Sequence, residues 1–270
     1  MTPPGAPDPT YVRARRVLLD ALEALGAHRE AIVLVGAQAI YLHTGEGDLA
    51  LAPYTTDADL AVAPAALEDH PLINDLLADA GFERADQPGS WRSRDRVVVD
   101  LMVPATLAGD GSRSARLGPH GKYAARKAKG LEAALIDRAK QKIGALDPAD
   151  GRTVIVWVAG PAALLVAKLH KIAERVGQPR RQDDKDAHDV LRVLRAIPTA
   201  DLAASLRRLL SDPLSSKVTS EALDLLRRLF GTPDAAGSVM AARATEGLED
   251  PATITASCAV LASELVAKMQ

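Results

Sequence analysis

VGAQAIYLHTGEGDLALAPYTTDADLAV, residues 35–62, is the stretch on which the fold turns. It starts at the end of a short β-branched run (AIVLVG, 31–36), crosses Gly36 and resumes a helical pattern in AQAIYLHT (37–44). After a Gly- and Pro-containing loop at roughly 45–56 it closes on DADLAVA (57–63). The pattern predicts strand, tight turn, helix, loop and strand. Inside the closing strand stand Asp57 and Asp59. Side chains two apart on a strand share a face, about 6.5 Å apart at roughly 3.3 Å per residue, so these carboxylates can hold one or two hard cations. A third, Asp100, interrupts the apolar run RVVVDLMVP (96–104), with Val98 and Met102 on its own face. If the two strands are sheet neighbours, Asp100 completes a three-carboxylate cluster. A buried carboxylate without a partner costs roughly 3–5 kcal/mol, and a bound divalent cation removes that cost. A strand-end cap accounts for one such aspartate; it does not account for a pair plus Asp100.

Outward from this stretch, apolar spacing near 3.6 predicts a helix over 11–28 with Gly26 as its stop, and another through LEDHPLINDLLADAG (67–81). DRVVVDLMVP (95–104) is the clearest strand, stopped by Pro104. The segment holding Gly109, Gly111, Gly118 and Gly121 reads as a long mobile loop. RTVIVWVAG (152–160) is a last strand, and everything beyond is helical: 161–176, 183–197, 200–211, 214–230 and two more. The fold class is therefore α/β (α+β): a small mixed sheet flanked by helices, then a C-terminal helical bundle. The expected organisation is a loose tail over 1–10, a first domain over 11–160 and a helical domain over 161–270.

With 47% hydrophobic and 25% charged residues, the composition is that of a folded globular chain. No window approaches the apolar length of a membrane span, and no signal-peptide pattern opens the chain, so a cytoplasmic protein is expected. The single cysteine, Cys258, excludes an internal disulfide and a thiolate-rich metal site. Any metal must be held by oxygen or imidazole, and oxygen favours magnesium or manganese. No HxxxH spacing occurs among the six histidines, which argues against zinc hydrolysis. Two Phe, two Trp and four Tyr are too few for a platform stacking single-stranded nucleic acid. The net charge of −2 hides a segregation: 8 basic and 17 acidic residues in 1–110, against 18 basic and 9 acidic in 111–195. An acidic module beside a basic one suits a place where metal and polyphosphate meet.

Gly36 supplies a turn through which backbone approaches a ligand closely, and the amides of the following helix bind phosphate. Gly36 and Ala37 at this turn, the DxD of Asp57 and Asp59, and Asp100 on a later strand resemble the nucleotidyltransferase superfamily of the DNA polymerase β type. AALLVAKLHKIAERV (162–176) followed by DDKDAHDVLRVL (183–194) is similar to the K…R and KDxxD segments of its AbiEii and MenT toxin-like branch. The likeness covers roughly residues 30–197. It implies that the carboxylates bind Mg (or Mn), that the glycine turn holds the triphosphate of an NTP, and that a nucleoside monophosphate passes to an acceptor hydroxyl with loss of pyrophosphate. Some members add nucleotides to tRNA ends. Ala37 departs from the glycine or serine usual at that place: a backbone amide contact survives, a side-chain contact does not. The stretch from Gly36 to Asp57 is also longer than in compact members.

In the helix opened by Pro161, Leu165, Leu169, Ile172 and Val176 form an apolar stripe, while Lys168, Lys171 and Arg175 lie at i, i+3 and i+7, within about 60° of one another. Three cations on one face repel unless an anion sits among them, and a triphosphate is the natural one; the competing reading is a solvated helix surface. Lys168 and Arg175 match the K…R positions. Asp186 begins the inward stripe of the next helix, with Asp189 one step aside, and the resemblance implies that they hold the basic helix in register by pairing with Lys168 or Lys171. Asp183, Asp184 and Asp186 also suit a helix's first turn. The function expected is a Mg-dependent nucleotidyltransferase acting on a tRNA end, a protein or a small molecule, within a toxin-antitoxin pair whose partner is an antitoxin protein. The alternative is a non-catalytic nucleotide-binding regulatory protein on the same fold.

Overall fold

The computed structural model describes residues 8–45, 55–111, 113–176 and 184–270. Most of the expected tail, nearly all of the loop at 45–56, and Asp183 lie outside the described residues. The chain forms two units: the first takes in Met1–Gln38, Tyr54–Ala128 and Ala139–Val158, the second Ala39–Pro53, Lys129–Arg138 and Ala159–Gln270. The units interleave along the chain, with the long helical run of the second starting at Ala159. Among the described residues no helix is long and apolar enough to cross a membrane.

The first unit opens with α1 (Pro9–Ala24), whose N-terminus is closed by the Asp8 carboxylate accepting from the Thr10 amide at 2.7 Å. A 3₁₀ segment (Gly26–Ala31) then leads into β1 (Ile32–Val35), and α2 (Gly36–Thr44) follows without a spacer. The remaining elements are β2 (Asp57–Val62), α3 (Ile73–Asp79), β3 (Glu83–Arg84), β4 (Ser90–Arg92), β5 (Val98–Pro104), β6 (Arg126–Ala128), β7 (Arg138–Gly144) and β8 (Thr153–Ala159). They form one sheet of order β3-β4-β5-β2-β1-β8-β7, with β6 also pairing β5. β1 runs antiparallel to β2, whereas β2 and β5 are parallel. α1 packs against β2 and β5, and Ala58, Leu60, Val99 and Leu101 beneath the carboxylate strands are fully buried.

Two differences from the expected elements have plain causes. The helix over 67–81 is confined to α3, because Pro71 has no amide to donate and disfavours helical backbone at the residue before it. β3, β4, β6 and β7 carry no apolar alternation. β7 reads RAKQKIG and buries only Ile143 at the end of the sheet, where charge is normal because it discourages pairing with another chain.

The second unit is built by α4 (Glu132–Ile136), α5 (Pro161–Arg175), α6 (Asp184–Ala196), α7 (Thr199–Ser211), α8 (Ser216–Phe230), α9 (Ala236–Ala244) and α10 (Pro251–Lys268). Its centre is the contact of α5 with α6 and α8, and of α6 with α9 and α10. α5 starts where Asp137, just before β7, accepts from the Ala163 amide at 3.2 Å, supplying the cap that Gly160 cannot. The α5–α6 interface holds an ionic interlock. Lys168 Nζ donates to Asp186 Oδ1 and Asp189 Oδ2, both at 2.6 Å, while Lys171 and Arg175 reach Asp186 at 3.1 and 2.7 Å. Lys168, Asp186 and Asp189 are all buried.

Burial alone would push the Lys168 ammonium down, but Asp186 and Asp189 hold it well above the usual lysine range. Burial would raise Asp186; Lys168, Lys171 and Arg175 outweigh it and hold that carboxyl low. At Asp189 burial wins over Lys168, and its carboxyl is raised. Asp186 therefore stabilises the fold above the ordinary carboxylate value of 3.8, and its contribution fades as pH falls from there toward its folded value. Lys168 contributes fully below 10.5 and loses that contribution as pH rises toward its folded value. Asp189 has the opposite sign, since ionising it in the fold works against stability. In urea unfolding at pH 7, Asp186→Asn is expected to cost about 3–5 kcal/mol, because three cations each lose a carboxylate partner, and Asp189→Asn clearly less. Equal losses would mean that Asp186 is not the centre of the interlock.

Candidate active site

Local sequence places each carboxylate, and sheet register brings them together. In β2 the burial alternates so that Asp57 and Asp59 are half-buried while Ala58 and Leu60 are sealed; in β5 Asp100 is half-buried between Val99 and Leu101. The parallel pairing sets Asp59 directly opposite Asp100 and Asp57 opposite Val98. On the other side of β2, Val35 is the partner of Asp59; on the far side of β5, Ser90 is the partner of Asp100. A single row therefore runs Val35, Asp59, Asp100, Ser90 across four strands, with Asp57 on the same face one step along β2.

Gly36 follows Val35 at the end of this row. Its φ of +71° is costly for any residue with a Cβ, and a Cβ placed there would lie 2.1 Å from Asp59 Oδ2. The glycine is thus required twice, by backbone conformation and by the carboxylate against it. Ala37, half-buried, is the second residue of α2.

Three side chains unread in the sequence answer the negative charge. Thr55 Oγ1 donates to Asp57 Oδ1, Ser90 Oγ donates to Asp100 Oδ1, and Arg126 Nη2 donates to Asp100 Oδ2 at 3.0 Å. The Asp57 backbone is held from below by Gln38, buried in the first turn of α2, whose Nε2 donates to Asp57 O at 3.0 Å and Ala14 O at 3.3 Å. Gln38 Oε1 in turn accepts from Arg15 Nε at 3.0 Å, and Arg15 donates to Tyr11 Oη at 2.7 Å. The signal for Gln38 and Arg15 was present: each is a polar residue on an otherwise apolar helix face, and burial leaves such a residue no choice but a network. Beyond Ser90 opens a cleft of about 180 Å³ between Arg84, Gln87 and Tyr123.

All-oxygen carboxylate donors on one face fit a hard divalent cation by their chemistry. Among the described residues, however, no three such side chains converge as a metal-holding group, and both oxygens of Asp100 accept hydrogen bonds, from Ser90 and Arg126. Gly36, Ala37, Asp57, Asp59 and Asp100 all belong to the first unit or to the helix that leaves it. Lys168, Lys171, Arg175, Asp186 and Asp189 belong to the second, where the anion among the three cations is the Asp186 carboxylate. Lys168 is spent on that interlock, while the side chains of Lys171 and Arg175 keep 35% and 28% of their surface exposed.

A nucleotidyltransferase family model matches residues 14–215, and the chain belongs to that family. It is also similar to a crystal structure from H. pylori described as that of a candidate nucleotidyltransferase, with 15% identity over 97% of each chain and a TM-score of 0.44. No curated protein matches the chain.

Gly36→Ala is expected to lower stability by roughly 1–3 kcal/mol, the usual cost of a side chain forced into a strained backbone region. In a double-mutant cycle read by thermal melting, Asp59→Ala should recover part of that loss, since it removes the carboxylate in the way. Strict additivity would show that Gly36 and Asp59 do not oppose each other as placed.

Proposed function

We propose that this chain is a metal-dependent nucleotidyltransferase that moves a nucleoside monophosphate from an NTP to an acceptor hydroxyl. The observation that carries this is the register of β2 and β5, which aligns Asp59 with Asp100 on one face beside the Gly36 turn, in a chain of the nucleotidyltransferase family. Asp57, Asp59 and Asp100 would hold Mg or Mn, which when bound neutralises phosphate charge and activates an oxygen nucleophile. The α2 amides, reached through Gly36, orient the triphosphate by backbone contacts that Ala37 leaves intact. The acceptor oxygen attacks the α-phosphorus, the bond to the β-phosphate breaks, and pyrophosphate leaves. Asp100, paired across β5 and β4 with Ser90, which lines the cleft, is the one of the three acids proposed to help the acceptor lose its proton. Lys171 and Arg175 are the cations proposed to meet phosphate, with Lys168, Asp186 and Asp189 holding their helix in place.

The resemblance to the AbiEii and MenT branch and the basic segment 111–195 support a tRNA end as acceptor and a toxin role with an antitoxin protein as partner. Incubation of the chain with each α-labelled NTP, magnesium and total tRNA is expected to label the RNA. Asp59→Asn should reduce that labelling by at least about a hundredfold, the scale of losing a charge-stabilising group at a reacting phosphate.

A second reading, a nucleotide-binding regulatory protein without turnover, is favoured by Ala37 and by the pairing of Asp100 with Arg126. Calorimetric NTP binding without label transfer to any acceptor would establish it in place of the first.

A further inference from the structure

Both oxygens of Asp100 are engaged, and the two donors differ in kind: Ser90 is neutral, and Arg126 is a cation at 3.0 Å. Building on the metal-dependent reading above, we propose that Arg126 is the resting counter-ion of Asp100, a built-in cation that must leave before Asp59 and Asp100 can share a divalent metal. Arg126 thereby sets the metal concentration at which the site loads.

Four observations lead there. Asp100 lies directly opposite Asp59 in the parallel pair, so without a positive charge two half-buried carboxylates would face each other across neighbouring strands. The guanidinium supplies that charge at every working pH, because arginine does not deprotonate in proteins. The Ser90 hydroxyl can remain when a metal arrives, since a carboxylate oxygen has more than one acceptor site; a guanidinium on the same carboxylate repels the incoming ion. Finally, the Arg126 and Asp100 side chains keep 28% and 19% of their surface exposed, so the guanidinium can swing to water without unfolding β6. A purely structural role, pinning β6 to β5, predicts something different: loss of stability on removing Arg126, with metal affinity unchanged.

The test uses the full chain and manganese alone, with bound and free Mn²⁺ distinguished by electron paramagnetic resonance. Arg126→Gln is expected to bind Mn²⁺ roughly threefold to fivefold more tightly than the parent, the scale of a partly exposed ion pair. Arg126→Lys, which keeps the charge, should stay within about twofold of the parent, and Asp100→Asn should bind more weakly than all three. Arg126→Met keeps the apolar stem and should tighten binding as Arg126→Gln does, which covers the case in which the glutamine disturbs β6; thermal melting identifies any variant that has lost its fold. Unchanged or weaker Mn²⁺ binding in both neutral variants, with Asp100→Asn still impaired, overturns the counter-ion role and leaves the metal site standing. No Mn²⁺ binding by the parent or by either neutral variant overturns both. Binding by the neutral variants alone supports the proposal in its strongest form.

Discussion

The register of β2 against β5 is the constraint from which the site follows. Side chains on a strand alternate between faces, so a slip of β2 by one residue in this pairing would exchange Asp57 and Asp59 for Ala58 and Leu60 on the carboxylate face and drive the two acids into the sealed one. The apolar residues fix the register because their burial is worth far more than any contact on the carboxylate face. The core thus aligns the charges, although the charges repel. Asp57 and Asp100 are then held by their own donors: Thr55 for Asp57, Ser90 and Arg126 for Asp100, and beneath them the Gln38–Arg15–Tyr11 network that ties α2 and α1 to the backbone of Asp57.

The two units meet the same physical problem in different ways. In the helical unit, charges are deeply buried, so they are paired tightly and in excess: one carboxylate, Asp186, receives three cations, and the interlock sets α5 against α6. Such an arrangement fixes how α5 meets α6, and loss of Asp186, the shared partner of three cations, is its most severe disruption. In the sheet unit the carboxylates stay half-buried, and the Arg126–Asp100 pair remains partly exposed to water. A structural ion cluster has no need of that accessibility. A site that exchanges its protein donors for a ligand does.

The difference also explains which residues were legible beforehand. Asp57, Asp59 and Asp100 stood out because each breaks an apolar run, and the periodicity of α5 to α10 was plain over long spans. β3, β4, β6 and β7 were silent, being short or edge-like, and with them went Ser90 and Arg126, which have no pattern of their own. The cationic face of Lys168, Lys171 and Arg175 called for an anion. Periodicity alone could not show that the Asp186 carboxylate stands in that position, because this depends on how two helices cross.

By itself, then, the amino-acid order determined the class of fold, the family resemblance, the three acids and the glycine beside them, since these depend on local spacing and on residues that cannot be hidden in an apolar run. Only the tertiary structure decided which strands are neighbours, that Asp59 faces Asp100, that Gly36 lies against the Asp59 carboxylate, and that Arg126 closes on Asp100. Those facts join residues from 23 to 41 positions apart. Over such separations the chain carries no periodic signal; the pairing is chosen by how the whole apolar set can be buried at once.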